Sequence, residues 1–163
     1  MLIAVISDTH MPRGVRRLPG ACVERIRAAD LLLHAGDFST LEVLRELEAV
    51  GPPVIAVHGN VDSAELRRLL PEERIFEADG ARIALLHDAG PRSGRLERMR
   101  RRFGARTAVV VFGHSHLPLH EQAADGFQIL NPGSPTQRRR APRHTMALIH
   151  VRDAAARCEI LGV

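Results

Sequence analysis

Three short apolar runs, residues 2–6, 31–33 and 54–57, lie near the start of the chain, separated by two stretches of helical spacing. A run without polar alternation has no face to give to water, so each predicts a strand covered on both sides. Segment 15–29 brings Val15, Leu18, Cys22 and Ile26 near one helical face, with Pro19 opening its regular part. Segment 41–50 does the same with Leu44 and Leu47, capped by Thr40 or Ser39. This β-α-β-α-β alternation requires a parallel sheet joined by right-handed crossovers.

The rhythm changes after a third helical segment, 64–70. Residues 74–78 and 82–86 flank the turn-forming pair Asp79-Gly80 and read as a hairpin. A very basic helix over 92–103 precedes a buried strand over 107–112. Segments 117–123 and 126–130 form a second hairpin, and 144–151 with 155–161 complete a β-rich C-terminal half. The Arg-rich stretch 137–143 is expected to be an exposed loop. At 163 residues the chain reads as one domain over 1–163, long enough to bury roughly two-thirds of its surface.

Several classes are excluded early. The longest apolar stretches fall far short of the roughly 20 residues that span a bilayer, so no membrane association is expected. The run after Met1 has no basic leader and meets Asp8 at once, which argues against a secretory signal. Cys22 and Cys158 lack CxxC spacing and read as reduced thiols of a cytoplasmic protein. Net charge is +4 with arginine as the sole basic type besides histidine, which fits an anionic ligand and equally a generally basic surface. Asparagine occurs only at 60 and 131.

Polar donors cluster at the ends of the apolar runs. Asp8-Thr9-His10 follows the first strand, Gly36-Asp37 the second and Gly59-Asn60 the third; His87 ends a hairpin strand. Gly113-His114-Ser115-His116 follows the strand 107–112. In open α/β sheets, ligands collect beyond the carboxyl ends of strands, so these scattered donors share one topological position. They number two carboxylates, one amide and four imidazoles, seven in all. One tetrahedral zinc takes about four ligands. Seven suit two divalent ions sharing a bridging carboxylate, an arrangement that cleaves phosphate esters.

Each motif alone has a plainer reading. Asp8 and His10 reach one ion if the backbone stays extended, and are otherwise a turn with a helix cap. Asp37 alone is an Asx turn, and Asn60 an αL turn residue. As a neutral ligand, Asn60 would keep the site electropositive. The His114/His116 pair, in a glycine-opened loop, favours metal most specifically. His34, His58, His120, His144 and His150 lack such positions and read as structural or solvated.

Together, Asp8-x-His10, Gly36-Asp37, Gly59-Asn60, His87 and Gly113-His114-Ser115-His116 resemble the ordered motifs of the calcineurin-like metallophosphoesterases. With Asn131-Pro132-Gly133-Ser134 and the short length, they resemble the small bacterial and archaeal phosphodiesterase subgroup over about residues 1 to 140. The resemblance implies an α/β fold of two packed mixed β-sheets flanked by helices, in four α-β-β-α layers. It implies that Asp8, His10 and His116 bind a first ion, that Asp37 bridges, and that Asn60, His87 and His114 hold a second. Manganese is the expected metal, with iron, nickel, zinc or cobalt as substitutes; the thiolate-free donor set agrees.

Chemically, two divalent ions offset by two carboxylates attract phosphate and acidify a bridging water. The hydroxide would attack phosphorus while the ions stabilise developing charge, with Asp37, Asn60 and His114 at the reaction centre. Val61 stands where larger family phosphatases carry a leaving-group histidine, which disfavours a protein-phosphatase reading. Asp62 is either a carboxylate orienting a ligand histidine or the N-cap of 64–70. Asp88 either tunes the site or faces solvent, and Asn131 and Ser134 shape the pocket or merely turn the chain. The arginines over 92–106 are expected to form mostly a solvated surface.

The expected function is hydrolysis of a small, nucleotide-type phosphodiester. Phosphomonoester hydrolysis and a non-catalytic protein-interaction scaffold are the alternatives, and a homo-oligomer is compatible. Nucleic acid is a weaker partner, because the basic segments lack interleaved aromatics.

Overall fold

The computed structural model of the chain describes residues 1–12, 16–104 and 106–163. In the first half, β1 (Leu2–Ile6), α1 (Gly20–Arg27), β2 (Leu31–His34), α2 (Leu41–Glu48), β3 (Val54–Ala56) and α3 (Ala64–Leu69) alternate. The expected start of the first helical segment at Val15 lies outside the described residues; Pro19 takes the N-cap position of α1. The second half holds β4 (Glu73–Ala78), β5 (Ala81–Leu86), α4 (Arg95–Phe103) and β6 (Thr107–Val111). It ends with β7 (Leu119–Gln122), β8 (Gln128–Asn131), β9 (Thr145–Arg152) and β10 (Ala155–Gly162).

Two mixed five-stranded sheets result, ordered β10-β9-β1-β2-β3 and β4-β5-β6-β8-β7. The parallel strands β1, β2 and β3 lie in register, with Ile6 beside His34 and His34 beside Ala56, so their C-terminal ends are level. In the second sheet β5 runs parallel to β6, with Leu85 beside Val111. The loops after all five strands therefore leave on one edge.

Period-two alternation sorts the core into three layers. Ile3, Val5, Leu33, Ile83, Leu85, Val109, Val111 and Ile149 fill the space between the sheets. Their neighbours Ala4, Ile6 and Leu32 face the other way and pack against Ile26, Leu44, Leu47 and Leu66 of α1 to α3. Ala84, Leu86 and Val110 pack instead against Met99 and Phe103 of α4. The fold is thus the α-β-β-α arrangement that the resemblance implied. Truncating a core residue such as Ile83, which is 0% exposed, to alanine would cost about 2–5 kcal/mol.

Two capping expectations fail. Thr40 occupies the N-cap position of α2, yet neither it nor Ser39 caps through its side chain. Ser63, not Asp62, caps α3, its Oγ accepting from Leu66 N at 3.3 Å. Asp62 is withheld from capping because three other backbone N–H groups engage its carboxylate.

Most arginines of 92–106 are exposed, as expected: Arg92, Arg101, Arg102 and Arg106; Arg95, Arg98 and Arg100 are half-buried. Arg98 donates to the carbonyls of Ala89, Pro91 and Ser93, and Arg95 to that of Gly90, because the 88–94 turn leaves carbonyl oxygens without ladder partners. Arg100 pairs with Asp125 at 2.7 Å and Arg102 with Glu73.

Candidate metal centre

The ladder between β1 and β2 continues past the strand ends: Asp8 N donates to Gly36 O at 3.0 Å, and His10 N to Asp37 O at 3.0 Å. Across the second sheet, Gly113 N donates to His87 O at 2.9 Å. These bonds bring all seven expected donors to one edge. Asp8, His10, Asp37, His87 and His116 are buried, while Asn60 and His114 are exposed and leave one side of the cluster open.

The backbone here is not extended, contrary to expectation. Asp8 (φ 57°), His10 (φ 45°), Asp37 (φ 63°), His114 (φ 69°) and His116 (φ 59°) all adopt the left-handed region. Two residues apart, Asp8 and His10 would share a face on an extended chain as well; with left-handed turns at both, His10 Nε2 still comes within 4.0 Å of Asp8 Oδ1. Such conformations cost about 1–3 kcal/mol each and persist where the surroundings over-determine them, most often at functional sites. Asn60 is not among these left-handed residues, so the αL reading of it falls.

Two motif glycines are explained by close approach. A Cβ on Gly59 would lie 2.0 Å from Asp37 Oδ1 and 2.5 Å from Asp37 N. One on Gly113 would lie 1.9 Å from Ser7 Oγ and 2.8 Å from Asp8 Oδ2. The ligand loops close on each other only because these positions carry no side chain.

Two overlapping donor groups lie within 4.8 Å: Asp8, His10 and His116, and Asp8, Asp37 and His87. In the first, His116 Nε2 stands 3.3 Å from Asp8 Oδ1 and 3.1 Å from His10 Nε2. Asp37 Oδ2 lies between the groups, 3.6 Å from His10 Nε2 and 3.3 Å from His87 Nε2. Asn60 Oδ1 extends the second, 3.1 Å from His87 Nε2 and 3.0 Å from His114 Nδ1.

The outer atoms of several donors are held by backbone and side-chain partners, so that their other atoms face the cluster. Asp8 Oδ2 accepts from Ser7 Oγ at 2.7 Å and His114 N at 3.0 Å, while buried Oδ1 has no hydrogen-bond partner. Asp37 Oδ1 accepts from Val61 N at 3.0 Å, and Oδ2 faces His10 and His87. His116 Nδ1 meets Gln137 O at 2.5 Å, and His87 Nδ1 meets Ala35 O at 2.7 Å. A carbonyl only accepts, so each Nδ1 carries a proton, and Nε2 is the nitrogen that each ring turns toward the cluster. Outer partners of this kind orient metal-ligating histidines. Inward-facing imidazole nitrogens and an orphaned carboxylate oxygen fit divalent cations.

Burial pushes the Asp8 carboxyl up to about 7, against the opposing charge of His87 and the Ser7 hydrogen bond. Burial also acts upward on Asp37, but the hydrogen bond and charge of His87 and the Val61 N–H outweigh it, leaving it at about 2. For His87, burial works against the charged form and Asp37 prevails, raising it above the ordinary histidine value. Burial takes His116 down to about 4 despite its bond to Gln137.

The remaining expectations separate cleanly. Asp62 neither caps a helix nor touches a ligand ring: its Oδ2 accepts from Asp37 N at 3.0 Å and Gly59 N at 2.7 Å, and its Oδ1 from Ser39 N at 2.8 Å. Asp88 is exposed and accepts from Gly90 N at 2.7 Å, a turn role. Asn131 donates to Gly113 O at 2.7 Å, and Ser134 Oγ to Asp8 O at 2.8 Å, so both brace ligand loops from behind. His34 is buried against Phe38, 3.5 Å between ring centroids, and burial holds it well below the ordinary value, a structural role. Sequence reasoning missed Ser7 and the Gln137 carbonyl. Nothing in the sequence flags a backbone oxygen, and Ser7 is marked only by its place before Asp8.

The family model of the calcineurin-like phosphoesterase superfamily domain matches residues 1–154. A probable metallophosphoesterase from Methanothermobacter thermautotrophicus is 37% identical over 151 residues, covering 91% of this chain and 85% of the relative. The phosphodiesterase MJ0936 of Methanocaldococcus jannaschii is 29% identical over 146 residues, covering 82% of this chain and 83% of the relative. Among solved structures, Vps29 from Entamoeba histolytica complexed with Zn2+ superposes with a TM-score of 0.78 at 22% identity, covering 99% of both chains.

Proposed function

The chain belongs to the calcineurin-like phosphoesterase superfamily, and from that premise we propose that it is a metal-dependent phosphodiesterase with a dinuclear centre. The observation that carries this reading is the pair of donor groups that share Asp8, with Asp37 Oδ2 between His10 and His87 and Asp8 Oδ1 buried without a hydrogen-bond partner. Asp8, His10 and His116 would hold one ion, Asn60, His87 and His114 a second, and Asp37 both. Bound there, divalent ions would supply Lewis acidity toward a phosphoryl oxygen and lower the pKa of water. Manganese is the metal proposed first.

Asp37 anchors the centre through the Val61 N–H, and its Oδ2 fixes the separation of the two halves. Asn60 and His114, on the open side, meet the incoming phosphate and orient it. Buried Asp8, His10 and His116 close the opposite side against water. Position 61 carries no titratable group, so a departing alkoxide receives no proton from there. The family relative named a phosphodiesterase supports a diester over a monoester. Residues 1–163 act as a single domain, and reduced Cys22 and Cys158 fit the cytoplasm.

The test compares hydrolysis of chromogenic phosphodiesters and phosphomonoesters, with manganese or chelator, by wild type and Asp37→Ala. Manganese-dependent diester cleavage is expected. Its loss in the variant should exceed the roughly 10–100-fold typical of removing an outer partner. Preference for the monoester would make it a phosphomonoesterase. No turnover by folded, metal-loaded protein would leave the scaffold reading.

A further inference from the structure

The centre is flanked by two cavities, one of mixed charge and one lined by arginines alone among charged residues. One, of about 540 Å³, shares Asn60 and His87 with the centre and has Glu72, Glu73 and Asp88 in its walls. Its two guanidinium groups are already engaged: Arg67 donates to the Asn60 carbonyl, and Arg102 pairs with Glu73. The other, of about 340 Å³, begins at Ser115, between His114 and His116. Three arginines line it, Arg92, Arg95 and Arg140, over an apolar floor that includes Leu119 and Ala141, and no carboxylate lines it.

The arginines are placed by segments that also build the centre. Arg92 and Arg95 follow His87 through the 88–94 turn. Arg140 lies three residues beyond Gln137, whose carbonyl receives His116 Nδ1–H. Arg95 is fixed in advance, its Nε and Nη2 donating to Gly90 O and its Cζ standing 4.8 Å from the Phe112 ring centroid. Among the described residues, no salt bridge involves Arg92, Arg95 or Arg140. Neighbouring unpaired guanidinium groups repel one another, and a tetrahedral dianion relieves that repulsion while accepting bidentate hydrogen bonds.

We infer that this arginine pocket is a subsite for a second phosphate group, so that the substrate is a phosphodiester carrying a further phosphate on one of its two alcohol arms. The inference rests on the phosphoesterase reading of the adjacent centre. The diester phosphorus would lie at the donor cluster, and the phosphorylated arm would pass Ser115. The other arm would enter the mixed-charge cavity, whose carboxylates accept hydroxyl hydrogen bonds and repel a second phosphate.

The test separates binding from turnover. Chelator-treated protein is titrated with p-nitrophenyl phosphate and with uncharged p-nitrobenzyl alcohol, by calorimetry at low salt. Saturable binding of the phosphate alone is expected, weakened about tenfold or more in Arg92→Ala/Arg140→Ala. Equal binding by the double variant, or no binding by wild type, would overturn the subsite. With manganese, the double variant should raise KM for a 5′-phosphorylated dinucleotide about tenfold more than KM for bis(p-nitrophenyl) phosphate. An equal change in both would likewise overturn it. Arginine-dependent binding without turnover of any ester would sink the enzyme reading and leave the anion site standing. Diester turnover without arginine-dependent binding would do the reverse.

Discussion

Asp62 and Asp37 are joined side chain to backbone: Asp62 Oδ2 accepts the Asp37 N–H at 3.0 Å. The same oxygen takes the Gly59 N–H at 2.7 Å, so one buried carboxylate ties the loop after β2 to the loop after β3. Those loops carry Asp37 and Asn60. A residue that touches neither ring nor phosphate thus sets the spacing of the centre.

Asp62→Ala should therefore weaken manganese binding by about 10–100-fold, as loss of an outer partner does. It should also destabilise the protein by about 1–3 kcal/mol or more, because three N–H groups lose their acceptor. Asp62→Asn should fall between, since its amide nitrogen cannot accept the Ser39 N–H or its oxygen must forgo the other two. Manganese titration and thermal melting of the three proteins check this. Unaltered affinity in Asp62→Ala would show that the loops hold their spacing unaided.

Gly59→Ala should disrupt the centre outright. Its Cβ would stand 2.0 Å from Asp37 Oδ1, and overpacking of this kind costs about 1–3 kcal/mol even where neighbours yield. Gly20→Ala, with nothing within 4 Å of the new Cβ, should change stability by no more than about 0.5 kcal/mol and keep full metal content. Metal analysis of both purified variants decides the point. Full manganese content in Gly59→Ala would contradict it.

Metal uptake should release protons near neutral pH. In the metal-free protein Asp8 titrates at about 7 and His87 above the ordinary histidine value, so both carry protons that bound metal must displace. Manganese affinity should rise with pH between 6 and 8, with about one to two protons released. The native metal-free state holds the Asp8 proton that the unfolded chain loses at 3.8, so Asp8's contribution to stability declines as pH rises from 3.8 to about 7. Calorimetry in buffers of different ionisation enthalpy counts the protons. A count of zero would refute the linkage.

Neither cysteine should react quickly in the folded protein. Burial pushes both Cys22 and Cys158 up to about 12, so almost no thiolate exists at pH 8. Thiol titration should find two reactive groups in denaturant and none within minutes without it. The unfolded chain ionises these thiols near 9.0, whereas the native one keeps them neutral to about 12. Their stabilising contribution is thus whole below pH 9.0 and is lost progressively above it.

Much of the fold was legible because strands and helices are set by local pattern. The run 2–6 and the Asp79-Gly80 turn announce their structures in a few residues, and β1 and the β4–β5 hairpin appear where the pattern places them. The donors were legible for the same reason, each standing at the end of such a run. The conformation of Asp8 and His10 was not, since an extended loop and a left-handed one share the same letters. Nor was the work of Asp62, whose three partners lie 25, 23 and 3 residues away.

By itself, then, the sequence determined which side chains gather and at which end of which strand, because alternation and turn chemistry are local. Tertiary structure decided how they face one another. The tautomers of His87 and His116 are set by the carbonyls of Ala35 and Gln137, 52 and 21 residues distant. The bare Oδ1 of Asp8 and the arginine pocket beside Ser115 exist only once two sheets meet along one edge. Such relationships depend on distances between remote backbone atoms, and those are fixed by packing, which no stretch of chain contains.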